Sequence, residues 1–275
     1  MALSPPAPAG LKAALALSAL LLAQSLAAAP RVITLAPSLA EIMVELDSAD
    51  LVVGVLDSGV RPPELTGRPS VGRHAQLELE SLISLKPDLV LLWPDSISRS
   101  QREQLDGLGI PLYVAEPHDL DQLARQFREI AVQLGRAEVG ERLSERFTRG
   151  LADLRQRYAG REPVTVFYQV WHEPLFTLGG QQIVSDALRV CGARNVFADL
   201  PLPAPQVSVE SVLARDPQVI LGGSDAQLEP WQQWPTLQAV RKQQLWEVPD
   251  KGLERPSFQM LGALEKLCAV LHKAR

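Results

Sequence analysis

Leu79-Glu80-Ser81-Leu82-Ile83-Ser84-Leu85-Lys86-Pro87-Asp88-Leu89-Val90-Leu91 returns without a gap as Val209-Glu210-Ser211-Val212-Leu213-Ala214-Arg215-Asp216-Pro217-Gln218-Val219-Ile220-Leu221. Each copy runs apolar-Glu-Ser-apolar-apolar, stops at Pro and continues as a short apolar run. Proline lacks a backbone donor and biases the residue before it away from the helix, so each copy reads as helix, stop, strand. Leu89-Val90-Leu91-Leu92-Trp93 is the kind of unbroken apolar run that a strand buried on both faces requires. Any helix-to-strand connection containing Pro shares this outline. The matched Glu-Ser pair is what makes it a repeat, and a repeat implies two halves of one kind.

Outward from the repeat, strands and helices alternate. Val32-Ile33-Thr34-Leu35 reads as a strand that ends at Ala36-Pro37-Ser38, with Ser38 expected to cap a helix over Leu39–Leu46. Leu51–Val55 is a second strand, Ser58–Gly72 a Gly- and Pro-rich loop, Ser100–Leu108 a helix and Pro111–Val114 a strand. Leu120–Leu134 and Ala137–Tyr158 break the alternation, because no strand interrupts them. Leu143, Phe147, Leu151, Leu154 and Tyr158 recur there at helical spacing, which predicts one long helix flanked by Gly135 and Gly160. Alternation resumes at Val164-Thr165-Val166-Phe167-Tyr168. The expectation is an α/β fold of two Rossmann-like α/β lobes joined by one long α-helix, with a ligand cleft between the lobes. The boundaries read as an N-terminal lobe over 29–135, a connecting helix over 136–160 and a C-terminal lobe over 161–275.

Composition narrows the function. The chain has 275 residues, 46% hydrophobic and 21% charged, with 27 Lys and Arg against 32 Asp and Glu. That balance leaves no basic stripe and argues against a nucleic-acid partner. Lys12 precedes an apolar run from Ala13 to Ala23 and a small-residue exit at Ala27-Ala28-Ala29-Pro30. Residues 1–28 therefore read as a secretory signal cleaved after Ala28 or Ala27, which sends the protein to the periplasm. An uncleaved membrane anchor is the alternative. Cys191 and Cys268 are the two cysteines; in an exported chain an even pair reads as one disulfide, the alternative being two buried thiols.

Enzymatic motifs are sparse. The sequence holds no G-x-S-x-G, H-E-x-x-H, P-loop or G-x-G-x-x-G pattern, and its four histidines do not pair at ligand spacing. No metal site is expected, and an exported metal-dependent enzyme is the remote alternative. Trp93 ends a strand, where an open α/β sheet presents its crevice, and Trp171, His172 and Phe176 follow the first strand of the second half. These make candidate flat walls for a planar guest. Trp231, Trp234 and Trp246 read as structural. Glu80 and Glu210 each fall in the first turn of a helix, where the dipole favours a carboxylate. As a pair on two halves they could meet two arginines of a partner.

Arg31-Val32-Ile33-Thr34-Leu35, Leu85-Lys86-Pro87-Asp88-Leu89-Val90, Pro205-Gln206-Val207-Ser208 and Val212-Leu213-Ala214-Arg215 resemble the periplasmic cobalamin-binding proteins of bacterial ABC importers. The resemblance covers nearly all of the chain after residue 28 and includes the long helix, the cysteine pair and both glutamates. It implies a rigid, non-enzymatic, monomeric solute-binding protein with no intrinsic cofactor, whose transported ligand is cobalamin or a related corrinoid. It further implies delivery to a permease dimer through Glu80 and Glu210, and ligand contacts at Trp93, Phe176 and Arg255. The sequence departs from the family pattern at Ser58, His74, Ala204 and Gly252, where aromatics are usual. Lys251 stands near an expected acid, for which Asp250 can substitute. His74 becomes a candidate cobalt ligand. Haem or an iron–siderophore is the alternative guest.

Overall fold

The structure, a computed structural model, describes residues 29–73, 76–158, 160 and 162–275. The segment read as a secretory signal and His74 lie outside the described residues. The first lobe comprises β1 (Val32–Thr34), α1 (Pro37–Glu45), β2 (Val52–Asp57), β3 (Ser70–Arg73), β4 (Gln76–Leu77), α2 (Leu79–Ser84), β5 (Leu89–Leu92), α3 (Arg99–Gly107) and β6 (Leu112–Val114). Its strands form one sheet in the order β4-β3-β2-β1-β5-β6, parallel except for the β3–β4 pair. Two helices come next, α4 (Leu120–Gln133) and α5 (Ala137–Tyr158). They are separated at Gly135, whose φ of 69° only glycine adopts readily.

The second lobe comprises β7 (Val164–His172), β8 (Leu175–Thr177), α6 (Ile183–Val190), β9 (Ala193–Asn195), α7 (Val209–Arg215), β10 (Val219–Gly222), α8 (Asp225–Leu228), α9 (Gln238–Arg241), β11 (Leu245–Glu247) and α10 (Met260–His272). Here β9, β7, β10 and β11 run parallel in that spatial order, and β8 folds back antiparallel on β7. The order β2-β1-β5-β6 in one lobe matches β9-β7-β10-β11 in the other. The repeated segment supplies α2 and β5 in the first and α7 and β10 in the second. Lys86 and Asp216, equivalent positions before the two prolines, both take positive φ, 46° and 41°. That conformation is costly for a residue with a Cβ, so its recurrence is a strong mark of duplication.

Successive residues of each central strand face opposite layers, as the pleat demands. Leu89 and Leu91 enter one core while Val90 and Leu92 enter another. Val219 and Leu221 likewise face away from Ile220. The inner core is continuous from Val32 and Leu39 of the first lobe, through Phe127 and Phe147 of α4 and α5, to Val166 and Leu264 of the second. The outer cores are private to each lobe. Gly140 lets α5 cross α4 closely, since a Cβ there would meet the Cβ of Ala131 at 2.3 Å. Cys191, just after α6, is bonded to Cys268 of α10 with Cα atoms 4.6 Å apart.

Two local expectations need correction. Ser38 does not cap the first helix, because Pro37 already occupies its first turn and Ala36 stands at the cap with no side-chain bond. Proline suits that position through its fixed φ. Trp171 and His172 do not come after the first strand of the second lobe but are its last two residues, and a turn at Glu173-Pro174 leads into β8. Among the described residues no helix is long and apolar enough to cross a membrane.

Candidate functional site

A cavity of about 220 Å³ lies between the lobes. Its first-lobe lining is Leu35, Ala36, Pro37 and Ser38 after β1, Ser58 after β2, and Trp93 and Ser96 after β5. Gln182 and Ile183 at the start of α6, with Glu254 and Pro256 beyond β11, complete it from the second lobe. The cavity therefore opens at the carboxyl ends of parallel strands in both sheets, where such sheets leave a crevice. The N-termini of α1 and α6 both reach it, bringing the positive ends of two helix dipoles to the floor. Trp93 is half-buried there, and its backbone N–H donates to Ser96 Oγ at 3.2 Å. Glu254 accepts a hydrogen bond from the Tyr168 hydroxyl at 3.0 Å. Burial, and then the Glu254 charge, push the Tyr168 hydroxyl well above its ordinary pKa, so it stays a donor.

Beside this floor the lobes are stitched together. Glu41 of α1 pairs with the Arg255 guanidinium and accepts from Ser257 Oγ at 2.8 Å and from the Gln259 side-chain amide. One turn on, Glu45 accepts from the backbone N–H groups of Phe258 and Gln259 at 2.9 and 3.2 Å. Burial raises the Glu45 pKa, and these two N–H donors partly offset the rise. Asp186 of α6 accepts from Leu120 N at 2.9 Å, tying the second lobe to the start of α4.

Of the residues singled out from sequence, Ser58 and Trp93 line the floor. Trp171 and Phe176 are cross-strand partners on the β7–β8 hairpin, and Phe176 also bridges to Gln206. His172 pairs instead with Leu175, and both line a separate groove on the second lobe. Alternation along the pleat explains the split. Asp250 does not line the floor. It accepts from Gly252 N at 2.8 Å and from Lys266 Nζ at 2.5 Å, which lowers its pKa. Arg255 is engaged with Glu41, and its Nε is buried with no partner among the described residues. Glu80 and Glu210 are exposed in the first turns of α2 and α7. Bonds from its own backbone N–H and from Ser208 hold the Glu210 carboxyl below the ordinary value.

Sequence reasoning missed Gln182, Glu254 and the Glu41 seam. Gln182 caps the start of α6, and Glu254 ends a short helical turn, Lys251–Glu254, in the segment after β11. The seam joins residues more than two hundred positions apart and left no local signal. Among the described residues no group of three His, Cys, Asp or Glu side chains could hold a metal ion.

Comparison with known proteins agrees with this architecture. The vitamin B12-binding protein of Vibrio cholerae serotype O1 is 33% identical over 250 residues, covering 90% of this chain and 91% of that one. The crystal structure of the periplasmic vitamin B12 binding protein BtuF of Vibrio cholerae superposes with a TM-score of 0.80 at 33% identity, covering 89% of this chain and 97% of that one. The periplasmic heme-binding protein RhuT from Roseiflexus sp. RS-1 superposes at 0.76 with 25% identity, covering 90% and 99%. These relatives are binding proteins, not enzymes. The family profile described as periplasmic binding protein matches residues 32–250, well over half of the sequence, and by that span this chain belongs to the periplasmic binding protein family.

Proposed function

We propose that the protein is the periplasmic receptor of an ABC importer, capturing cobalamin or a related corrinoid between its lobes and delivering it to a permease dimer. The observation that carries this reading is the 33% identity over 90% of the chain to a vitamin B12-binding protein. The chemistry of the cleft supports it. Trp93 offers a flat apolar face, and Ser38, Ser58, Ser96 and Gln182 offer short polar groups suited to the amide fringe of a corrinoid. The floor, about 220 Å³, is smaller than the roughly 300–1,000 Å³ of a typical ligand pocket, so in this reading a corrinoid rests on it and projects beyond it, with Phe176 and Trp171 as its further contacts.

In this reading residues 1–28 are the secretory signal, and the lobes span 29–135 and 161–275 about the helix of 136–160. The chain acts as a monomer, and Glu80 and Glu210 each meet a cationic group on one permease subunit. Haem is the second reading, favoured by the likeness to RhuT. Haem iron takes a His, Cys, Met or Tyr ligand from its protein, and the described floor residues include none of these. Calorimetry with cyanocobalamin and haem separates the two. Binding of cyanocobalamin at micromolar concentration is expected, and haem binding alone would overturn the corrinoid assignment. Glu80→Lys with Glu210→Lys is expected to abolish uptake while leaving ligand affinity unchanged.

A further inference from the structure

The hairpin that carries Phe176 has a second side. There a groove of about 330 Å³ is lined by His172, Leu175, Val209, Pro230, Trp231 and Trp234, among others. Its base is pre-formed. Trp231 is buried, packs edge-on against Phe167 with ring centroids 5.5 Å apart, and donates its indole N–H to Gln169 Oε1 at 2.6 Å. Gln169 is itself anchored by donating to Gln227 O at 3.1 Å. The floor thus presents apolar and aromatic surface with its polar atoms already satisfied, which suits an apolar side chain.

Among the described residues the one carboxylate in the lining is Glu173, and two more adjoin lining residues in sequence. Glu229 precedes Pro230, and Glu210 comes directly after Val209 at the start of α7. Among the described residues no Lys or Arg lines the groove, and none of these three carboxylates forms a salt bridge. An apolar pocket inside an unpaired acidic rim complements an apolar side chain borne on a cationic segment. Because Val209 is a wall of the groove and Glu210 is the next residue, such a segment would meet both together.

We propose that this groove is a docking pocket for the permease. It receives an apolar side chain from a cationic permease segment and makes the second lobe the anchoring half of the docking face. The proposal rests on the reading of Glu80 and Glu210 as docking residues. In the first lobe the residue equivalent to Val209 is Leu79, and both pack onto the outer core of their lobe; what differs is the flanking Glu78 carboxylate, occupied by the Ser81 hydroxyl at 3.0 Å.

The test is binding of the full protein to the source bacterium's permease–ATPase complex in nanodiscs, with corrinoid affinity and thermal melting measured alongside. Leu175→Gln probes the apolar contact, and Glu173→Lys with Glu229→Lys probes the rim from exposed positions that leave folding intact. Each is expected to weaken docking by about tenfold or more with ligand affinity unchanged. Raising salt should weaken wild-type docking and shrink the rim variant's deficit, while the Leu175→Gln deficit persists. If both groove variants dock like the wild type while Glu80→Lys with Glu210→Lys does not, the groove is overturned and the docking glutamates stand. If all of these variants dock normally, both ideas fall. Loss in the groove variants alone would support the groove and overturn the glutamates' role.

Discussion

The two lobes share a backbone plan and differ in the residues set at the ends of their strands. After β5 comes Trp93, fixed against Ser96 at the cleft. After β10 the equivalent place is taken by Gly223, whose N–H is held by Gln227 Oε1 at 2.9 Å. The second lobe's part of the cleft lining holds no aromatic among the described residues; its Trp171 and Phe176 sit on the β7–β8 hairpin, an antiparallel addition with no counterpart next to β1. The repeated turn is also secured in two ways. In the first lobe the Arg31 guanidinium donates to the Leu85 and Lys86 carbonyls at 2.8 and 3.2 Å. In the second the Asp216 carboxylate itself accepts from Gln238 N at 2.8 Å. Duplication preserved the strands and the strained turn, and left the strand-end chemistry free to diverge.

The largest expected asymmetry is covalent. The Cys191–Cys268 bond closes a separation of 77 residues within the second lobe. Replacing both cysteines by Ala should cost roughly 2–5 kcal/mol in urea unfolding. An unchanged midpoint would show that this lobe, like the first, holds without a tie. Helix starts come next. Ser208 Oγ accepts from Ser211 N at 3.2 Å, whereas Glu78 makes no side-chain cap for α2. Ser208→Ala should cost about 1 kcal/mol and Glu78→Ala less than about half of that; equal losses would erase the distinction.

The turn offers a test of sign. Lys86→Gly relieves a positive φ at no cost in side-chain bonds and should stabilise by about 0.5 kcal/mol. Asp216→Gly relieves the same strain but loses the bond to Gln238, and should destabilise by a similar amount. The smallest effect lies at the junction that belongs to neither lobe. Burial raises the Glu45 pKa above its ordinary 4.5, so the folded state gains from its protonation. That contribution is fully present below the unfolded pKa and is lost as pH rises through the folded one. The stability of wild type relative to Glu45→Gln should therefore fall as pH rises above the ordinary 4.5. A difference that stays flat with pH would place Glu45 in ordinary solvent.

The duplicated segment made the fold legible, because a helix, a proline and an unbroken apolar run carry their signals locally. Trp93 was legible for the same reason, standing just beyond a strand, whereas Ser58 entered only through the family resemblance. Asp250 and Arg255 came from the family resemblance, and their pairing with Lys266 and Glu41 left no local signal because those partners lie on other elements. Trp171 and His172 are neighbours in sequence, yet the pleat sends their cross-strand partnerships to Phe176 and Leu175. Which side of a hairpin faces a cleft depends on how the sheet is mounted, and short-range pattern does not encode that.

One consequence concerns how the molecule melts. A single inner core passes from the first sheet through α4 and α5 into the second. Heating cannot release one half without stripping apolar cover from the other, so two ancestral units should denature in one calorimetric peak. The ancient doubling would survive in the topology and vanish from the thermogram.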